Sequence, residues 1–301
     1  MREFTLRVPA STSNLGSGFD ALGLAIDLPL TVKFEIGIAG RHLRAWGEGV
    51  AIIEQKQDNL FLQAFDRACR DMGRESPPLR IEINNSIPLK RGLGSSGAAI
   101  VAGLVGANLL HGKKLSQPQL LDLANEMEGH PENASASLLG GLTVNGVENG
   151  NVNFHRFILP SDWVAAAFIP NLEIVTHEAR RVLPEMMPRC EAVNNVQRVA
   201  VLVAAFAKRD ASLLKFGVQD WLHQPYRKAL IPGFDDILAA AYEAGALAAF
   251  LSGSGSTLLA ICLKQNAKKI SQAMAQAAAQ HHLTGRAVVL KFAASGAQTL
   301  Q

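Results

Sequence analysis

The stretch from Pro88 to Leu110 constrains this chain more than any other. It opens as Pro88-Leu89-Lys90-Arg91-Gly92-Leu93-Gly94-Ser95-Ser96-Gly97 and continues through Ala98–Leu110 without a charged residue. A helix that is apolar all round must be buried on most sides. The glycine-rich turn therefore delivers its helix into a core, not onto a surface. The uncharged run Gly97–Leu110 has 14 residues, short of the roughly 20 that span a bilayer. Ala244–Leu263 is long enough, but Ser252-Gly253-Ser254-Gly255-Ser256-Thr257 interrupts it. The start, Met1-Arg2-Glu3, carries no apolar signal core. No membrane partner is expected.

With 301 residues, and about 150 per domain, two domains are expected. Hydrophobic residues make up 48% and charged residues 18%, which excludes wholesale disorder. The 29 basic and 26 acidic residues leave a net charge of +3, with basic runs no longer than doublets such as Lys90-Arg91, and only 6% of residues are aromatic. Both features argue against a nucleic-acid partner. Cys69, Cys190 and Cys262 are too scattered for a disulfide framework or a metal knuckle, so a reducing, cytoplasmic setting is expected.

Alternating patterns predict strands at Phe4–Val8, Thr31–Ile36 and Leu79–Ile83. Asp58-Asn59 can cap a helix with Leu60, Phe61, Ala64, Phe65, Ala68 and Met72 on its apolar face. Ser116 and Gln119 form a capping box for a helix ending near Gly129, and Gly140-Gly141 leads into a strand at Leu142–Val144. The polar turn Glu148–Asn153, followed by Pro160, marks the expected boundary, giving domains 1–155 and 156–301. The second half reads as a strand at Trp163–Ile169, helices at Cys190–Lys208 and Asp235–Ala244, and a strand pair at Leu247–Leu251 and Thr257–Leu263. An Ala-rich helix capped by Asn266 and a last strand at Ala287–Phe292 follow. Without a regular βαβ rhythm, the pattern predicts α+β over a doubly wound sheet.

Two glycine-rich segments compete for the chemistry. Asn14-Leu15-Gly16-Ser17-Gly18-Phe19-Asp20-Ala21 matches G-x-G-x-x-A, and Glu35 lies 19 residues after Gly16. Only Ala21–Leu28 remains for a helix before Pro29, too short for a dinucleotide-binding crossover. In the second segment Gly92 and Gly97 have Walker A spacing, but Ala98-Ala99 stand where Lys-Ser/Thr must be. A classical P-loop is excluded, yet the parts suit phosphate. Glycines let backbone N–H groups approach, the helix presents its positive N-terminus, and Ser95, Ser96 and Lys90 add hydroxyls and charge. On the residues alone, a plain turn with capping serines stays open. Glu128, at a helix end, could hold Mg²⁺ beside phosphate oxygens; Glu126 reads as solvated, and His130 taken alone as a turn residue.

Three segments together resemble the GHMP kinases: Pro9–Asp20, the phosphate loop Pro88–Gly97 of the form P-x-x-x-G-L-G-S-S, and Leu251-Ser252-Gly253-Ser254-Gly255. Within that family the chain is most similar to the homoserine kinase branch. The similarity rests on Asn14–Asp20, Gly129-His130-Pro131-Glu132-Asn133, Thr176-His177-Glu178-Ala179-Arg180 and His223-Gln224-Pro225-Tyr226-Arg227. Against that pattern Gly97 stands for Ala, Glu132 for Asp, Ser135-Ala136-Ser137 for V-A-P, Gln224 for Glu, and Ser256 for Pro or Ala. Glu132 and Gln224 flank substrate contacts, so substrate preference is where departures would tell.

The resemblance implies a two-domain GHMP kinase fold, with an N-terminal domain like ribosomal protein S5 domain 2, a ferredoxin-like C-terminal domain, and the active site between them. It implies ATP- and Mg²⁺-dependent phosphorylation of the L-homoserine hydroxyl in threonine synthesis, by a homodimer. It assigns Pro88, Lys90, Gly92, Leu93, Gly94, Ser95 and Ser96 to the nucleotide, and Ser96 and Glu128 to Mg²⁺. Asn14, Asp20, His130, Asn133, Thr176, Arg180 and Arg227 fall to the substrate, with Asp20 on its ammonium and the two arginines on its carboxylate. Gly253, Ser254 and Gly255 form the structural glycine motif. Ser96, Glu128 and Asn133 are the expected catalytic group. Asn133 occupies the region where sister kinases carry an Asp base, so direct attack by an oriented hydroxyl is expected. Another small-alcohol GHMP kinase, or a non-catalytic nucleotide-binding regulator, are the alternatives.

Overall fold

The computed structural model describes residues 3–54 and 59–300. Met1, Arg2 and the proposed cap Asp58 lie outside the described residues. Asn59 does cap the helix Leu60–Asp71, its side chain accepting from Leu62 N–H.

Eleven strands among the described residues form two sheets. The first holds β1 (Glu3–Ser13), β2 (Leu22–Ile36), β3 (Arg41–Gly47), β4 (Leu79–Asn85), β5 (Leu142–Glu148) and β6 (Asn151–Phe157). The second holds β7 (Trp163–Pro170), β8 (Ala248–Leu251), β9 (Leu258–Leu263) and β10 (Gly285–Lys291), in the order β10-β7-β9-β8. The last strand, β11 (Gln298–Leu300), returns to pair with β1, giving the first sheet the path β11-β1-β2-β4-β3 with β5 and β6 branching from β2.

Strand β2 settles the first glycine segment. It begins at Leu22, where a dinucleotide fold would need a helix. β1 is longer than its alternating core Phe4, Leu6, Val8 predicts, because the buried polar residues Ser11, Thr12 and Ser13 continue it past a register shift at Pro9/Ala10. Hydropathy does not see such an extension, since its hydroxyls are buried for hydrogen bonding.

The Asn149-Gly150 turn is a hairpin between β5 and β6 inside the first sheet. The expected division at 155–156 falls within β6, two residues before that strand ends at Phe157. The pattern reading missed the strands β3, β6 and β11, the last of them after the strand expected to be final, and short helices such as Glu132–Leu139 and Thr176–Arg181.

The helix Ser95–Leu110 runs through the larger core, with Ala98, Ile100, Val101, Ala102, Leu104 and Ala107 all buried. A second cluster, around Phe168, Ile237, Leu258, Ile270 and Met274, fills the space beneath the other sheet. The predicted capping box of Ser116 and Gln119 is formed. Asn266 sits at the N-terminus of the helix Ala267–Gln280 but makes no side-chain cap bond.

Candidate active site

The three glycine-containing segments meet in one cleft between the sheets. The Pro88–Gly97 loop turns at Gly92 (φ 72°) and Gly94 (φ 67°), a left-handed geometry that favours glycine. A Cβ on Gly92 would stand 2.0 Å from the carbonyl oxygen of Ser252, so the Ser252–Thr257 loop can lie directly against it. Ser252 Oγ donates to Gly92 O at 2.6 Å, and Thr257 N–H donates to Arg91 O at 3.1 Å. Ser95 and Ser96 open the helix Ser95–Leu110, so its first N–H groups, which have no intrahelical partner, face the cleft. Lys90 lines the rim, where its Nζ pairs with Glu173 at 3.2 Å.

Glu128 ends the helix Gln117–Glu128, and Gly129 (φ 83°) turns the chain away behind it. Its Oε2 is buried without a hydrogen-bond partner. Burial pushes its carboxyl up to about 7, the His130 charge pulls it down, Glu132 pushes it up, and the Ser96 hydroxyl favours the anion. Glu126, by contrast, points outward to Arg67 at 2.6 Å. His130 Nδ1 lies 3.1 Å from Glu132 Oε1. Burial alone would lower its pKa, but the bond to Glu132 and the charges of Glu132 and Glu128 raise it to about 9.

Asn133 is held from three sides. Its Oδ1 accepts from Ser11 Oγ at 2.9 Å, and its Nδ2 donates to Ser13 Oγ at 3.1 Å and Glu132 Oε1 at 2.9 Å. The extension of β1 therefore supplies the hydroxyls that fix this amide. Asn14, at φ 70°, donates to Gly253 O at 3.2 Å and accepts from the N–H of Asp20 at 3.0 Å. It joins the first and third motifs.

At the opposite end of the cleft Arg180 and Asp20 form a two-point ion pair of 2.7 and 3.0 Å. The Phe19 ring lies under both guanidinium groups, 5.4 Å from Arg180 and 5.3 Å from Arg227. Arg227 is buried and donates to Ala179 O, Gly253 O and His223 Nδ1. Burial lowers its pKa to about 10, with the Arg180 charge adding to the effect; it stays a cation at neutral pH. Thr176 Oγ1 stands 3.4 Å from Ser254 Oγ at the rim.

The cleft thus brings together Pro88, Leu93 and the other expected loop residues, Glu128, His130, Asn133, Asn14, Asp20, Thr176, Arg180, Arg227, Gly253 and Ser254. Gly255 does not line it; the residue packs among Leu251, Ile231 and Ile174 instead. Nor does Gln224, whose Oε1 accepts from Leu251 N–H at 2.8 Å on β8. Of the two departures beside the expected contacts, Glu132 alone reaches the cleft. Sequence reading also missed Ser11, Ser13 and Phe19, and a second, apolar cleft across the phosphate loop. That cleft is lined by Ile53, Leu60, Phe61, Ile83, Leu89 and Ala99, and shares Lys90, Ser95 and Ser96 with the first.

The family description "GHMP kinases N terminal domain" matches residues 59–141, and "GHMP kinases C terminal" matches residues 202–280. The chain belongs to the GHMP kinase family. This GHMP kinase is 42% identical over 294 residues to a homoserine kinase of Caldanaerobacter subterraneus subsp. tengcongensis, covering 98% of this chain and 94% of that one. It is 38% identical over 301 residues to a homoserine kinase of Aquifex aeolicus, covering 98% and 95%. The crystal structure of homoserine kinase from Cytophaga hutchinsonii superposes with a TM-score of 0.89 at 30% identity, covering 100% of this chain and 98% of that one. A Lactococcus lactis galactokinase shares the two-domain fold of this GHMP kinase at 14% identity and a TM-score of 0.74, over 99% and 95%.

Proposed function

We propose that the chain transfers the γ-phosphoryl group of ATP to the hydroxyl of L-homoserine, giving O-phospho-L-homoserine, a step of threonine synthesis. One observation carries the reading: a single cleft has a phosphate-cradling helix N-terminus at one end and a carboxylate beside two guanidinium groups at the other. A short zwitterion bearing a hydroxyl fits that polarity. Asp20 faces its ammonium, and Arg227 and Arg180 its carboxylate, for which a guanidinium offers paired donors.

The loop from Gly92 to Ser96 binds the triphosphate through backbone N–H groups, with Lys90 as an auxiliary charge. The apolar cleft beyond it takes the adenine, an assignment supported by its lining and by the residues it shares with the loop. Ser96 and Glu128 are the candidates for holding Mg²⁺. A buried carboxylate oxygen without a partner beside a hydroxyl suits a hard cation. When bound, Mg²⁺ would neutralise charge on the phosphate oxygens. Among the described residues no cluster of three His, Cys, Asp or Glu is positioned for a metal, in keeping with a cation that relies on phosphate oxygens.

Asn133 cannot act as a base, and its amide is already committed to Ser11, Ser13 and Glu132. Its part is to shape the wall against which the hydroxyl lies, with His130 beside it. Catalysis then rests on orientation and charge stabilisation, without a dedicated base.

A homodimer in a reducing cytoplasm completes the reading. Exposed Met186, Val193 and Val196 around the start of the helix Arg189–Lys208, and three free cysteines, support it. Light scattering after size exclusion tests the dimer. Among the described residues no helix is long and apolar enough to cross a membrane. The function is tested by MgATP with L-homoserine, L-serine, mevalonate and galactose, with product identification. Turnover of any alternative with homoserine inert would reject it.

A further inference from the structure

His223 is wholly buried, and nothing above gives it a part in the reaction. Its Nε2 lies 2.9 Å from the carbonyl oxygen of Gly16 and 3.4 Å from Asp220 Oδ2, both acceptors, and its Nδ1 lies 3.3 Å from Arg227 Nη1. A guanidinium only donates and a carbonyl only accepts. The two partners therefore dictate a neutral ring with its proton on Nε2, donating to Gly16 and accepting from Arg227. Burial is the main force holding the ring neutral, and the Arg227 charge adds to it against the opposing pull of Asp220 and Asp20.

The two partners belong to different parts of the chain. Gly16 lies in the loop that carries Asn14, Phe19 and Asp20; Arg227 belongs to the segment that follows the second domain's long helix. The His223 ring also stacks on Phe19, with centroids 5.2 Å apart and planes 28° from parallel. Phe19 in turn lies under both guanidinium groups. The turn before His223 is itself fixed, since Asp220 carboxylate oxygens accept from the N–H groups of Leu222, His223 and Gln224. Arg227 Nε and Nη1 are used by protein acceptors, and no hydrogen bond among the described residues involves Nη2.

We propose that His223 is the positioning residue of the amino-acid end of the cleft, a neutral imidazole that ties the Asp20 loop to Arg227 and so sets the separation at which ammonium and carboxylate are held. The inference rests on the functional reading that the substrate is a zwitterionic alcohol. Its advantage is preorganisation: an arginine already immobilised loses less freedom when the carboxylate arrives.

The test compares wild type with His223→Gln, which cannot accept from Arg227 at the Nδ1 position, and His223→Asn, whose shorter amide keeps an acceptor there. Losing an ordered bond to a charged group predicts a rise of about tenfold in the homoserine KM for His223→Gln. The kcat should stay within about threefold, the ATP KM should not move, and His223→Asn should recover part of the loss. With 3-aminopropan-1-ol, which has no carboxylate, wild type and variants should be equally poor. A scaffold role would instead move the ATP and homoserine constants together and penalise both alcohols alike, and that result overturns the proposal. Should neither variant fold, nitrogen NMR of the wild-type histidines decides, with His223 identified by its contacts to the Phe19 ring. An Nε2–H signal that shifts on adding L-homoserine, but not 3-aminopropan-1-ol or MgADP, supports the proposal; a δ tautomer, a charged ring at neutral pH, or no response overturns it. Wild type inert with L-homoserine would bring down the functional reading and this one together, whereas active wild type with unchanged variants rejects this one alone.

Discussion

Asp20→Asn should weaken L-homoserine and tighten a ligand that has lost its ammonium group. Asp20 and Arg180 bond to each other at 2.7 and 3.0 Å, with side chains 34% and 36% exposed. A pair so exposed contributes only ~0.2–1 kcal/mol. Arg180 must leave it to meet a substrate carboxylate. A zwitterion compensates Asp20 with its ammonium, whereas 4-hydroxybutanoate leaves it alone. Removing the Asp20 charge frees Arg180 and should tighten 4-hydroxybutanoate by about 1.4- to 5-fold, the factor matching ~0.2–1 kcal/mol. On the proposed reading the same change removes the ammonium contact of L-homoserine, worth ~1.5–3 kcal/mol, and should weaken it by about 10- to 100-fold. Competition against homoserine turnover, or calorimetry, measures both. Equal weakening of both ligands would refute the reasoning, because it would mean that the pair does not compete with the carboxylate. By the same logic Arg227→Ala should cost more homoserine affinity than Arg180→Ala, since Arg227 has no carboxylate to give up. It should also lower the melting temperature, by leaving Ala179 O and His223 Nδ1 without that donor and Gly253 O with Asn14 alone.

Ser96→Ala and Glu128→Gln should each cut turnover at least tenfold with circular dichroism unchanged, whereas Glu126→Gln, which loses only an exposed pair with Arg67, should leave kinetics unaltered across a Mg²⁺ titration. Gly97→Ala would put a Cβ 3.0 Å from Glu128 Oε2 and from Asn133 Cβ; it should raise the Mg²⁺ requirement in the same assay. Gln224→Ala should lower stability by about 1 kcal/mol in urea melts, through the lost Leu251 bond, and leave the homoserine KM unchanged. His223 has a folded pKa below its unfolded value, so the stability tied to its neutral form is present above about pH 6.5 and lost as pH falls below that. His223→Gln should therefore flatten the acid side of the stability profile, with Asp220, Asp20 and Arg227, which face the ring, unchanged in the variant.

The parts of the fold that were legible are those where burial leaves a trace in hydropathy. The apolar helix after the phosphate loop, the Ser116–Gln119 capping box and the strands flanking the Ser-Gly run sit where their patterns put them. β3 was not legible because exposed residues alternate along it and Ala45 is its one buried residue. β11 was not, because all three of its residues are exposed and its place is decided by pairing with Thr5–Arg7. The Asn149-Gly150 turn carried a strong turn signal, but a hairpin and a domain boundary use the same residues, and only cross-strand pairing tells them apart.

The site divides along the same line. Residues that announce themselves by type, such as the loop glycines, the serines and the paired arginines, could be named from the chain. Those that act by holding others could not. Ser11 and Ser13 look like ordinary strand hydroxyls until β1 is seen to bring them to Asn133. Gln224 looks like a substrate neighbour until its amide is seen facing β8. The arginines illustrate both halves of the point: equal in sequence, they differ in the fold, one buried among protein acceptors and the other a third exposed and lent to Asp20. A cleft that keeps one cation fixed and the other on a weak, exchangeable pair can bind a zwitterion firmly while charging its half-ligands for the broken pair. That is why selectivity here should reside in Asp20 as much as in either arginine.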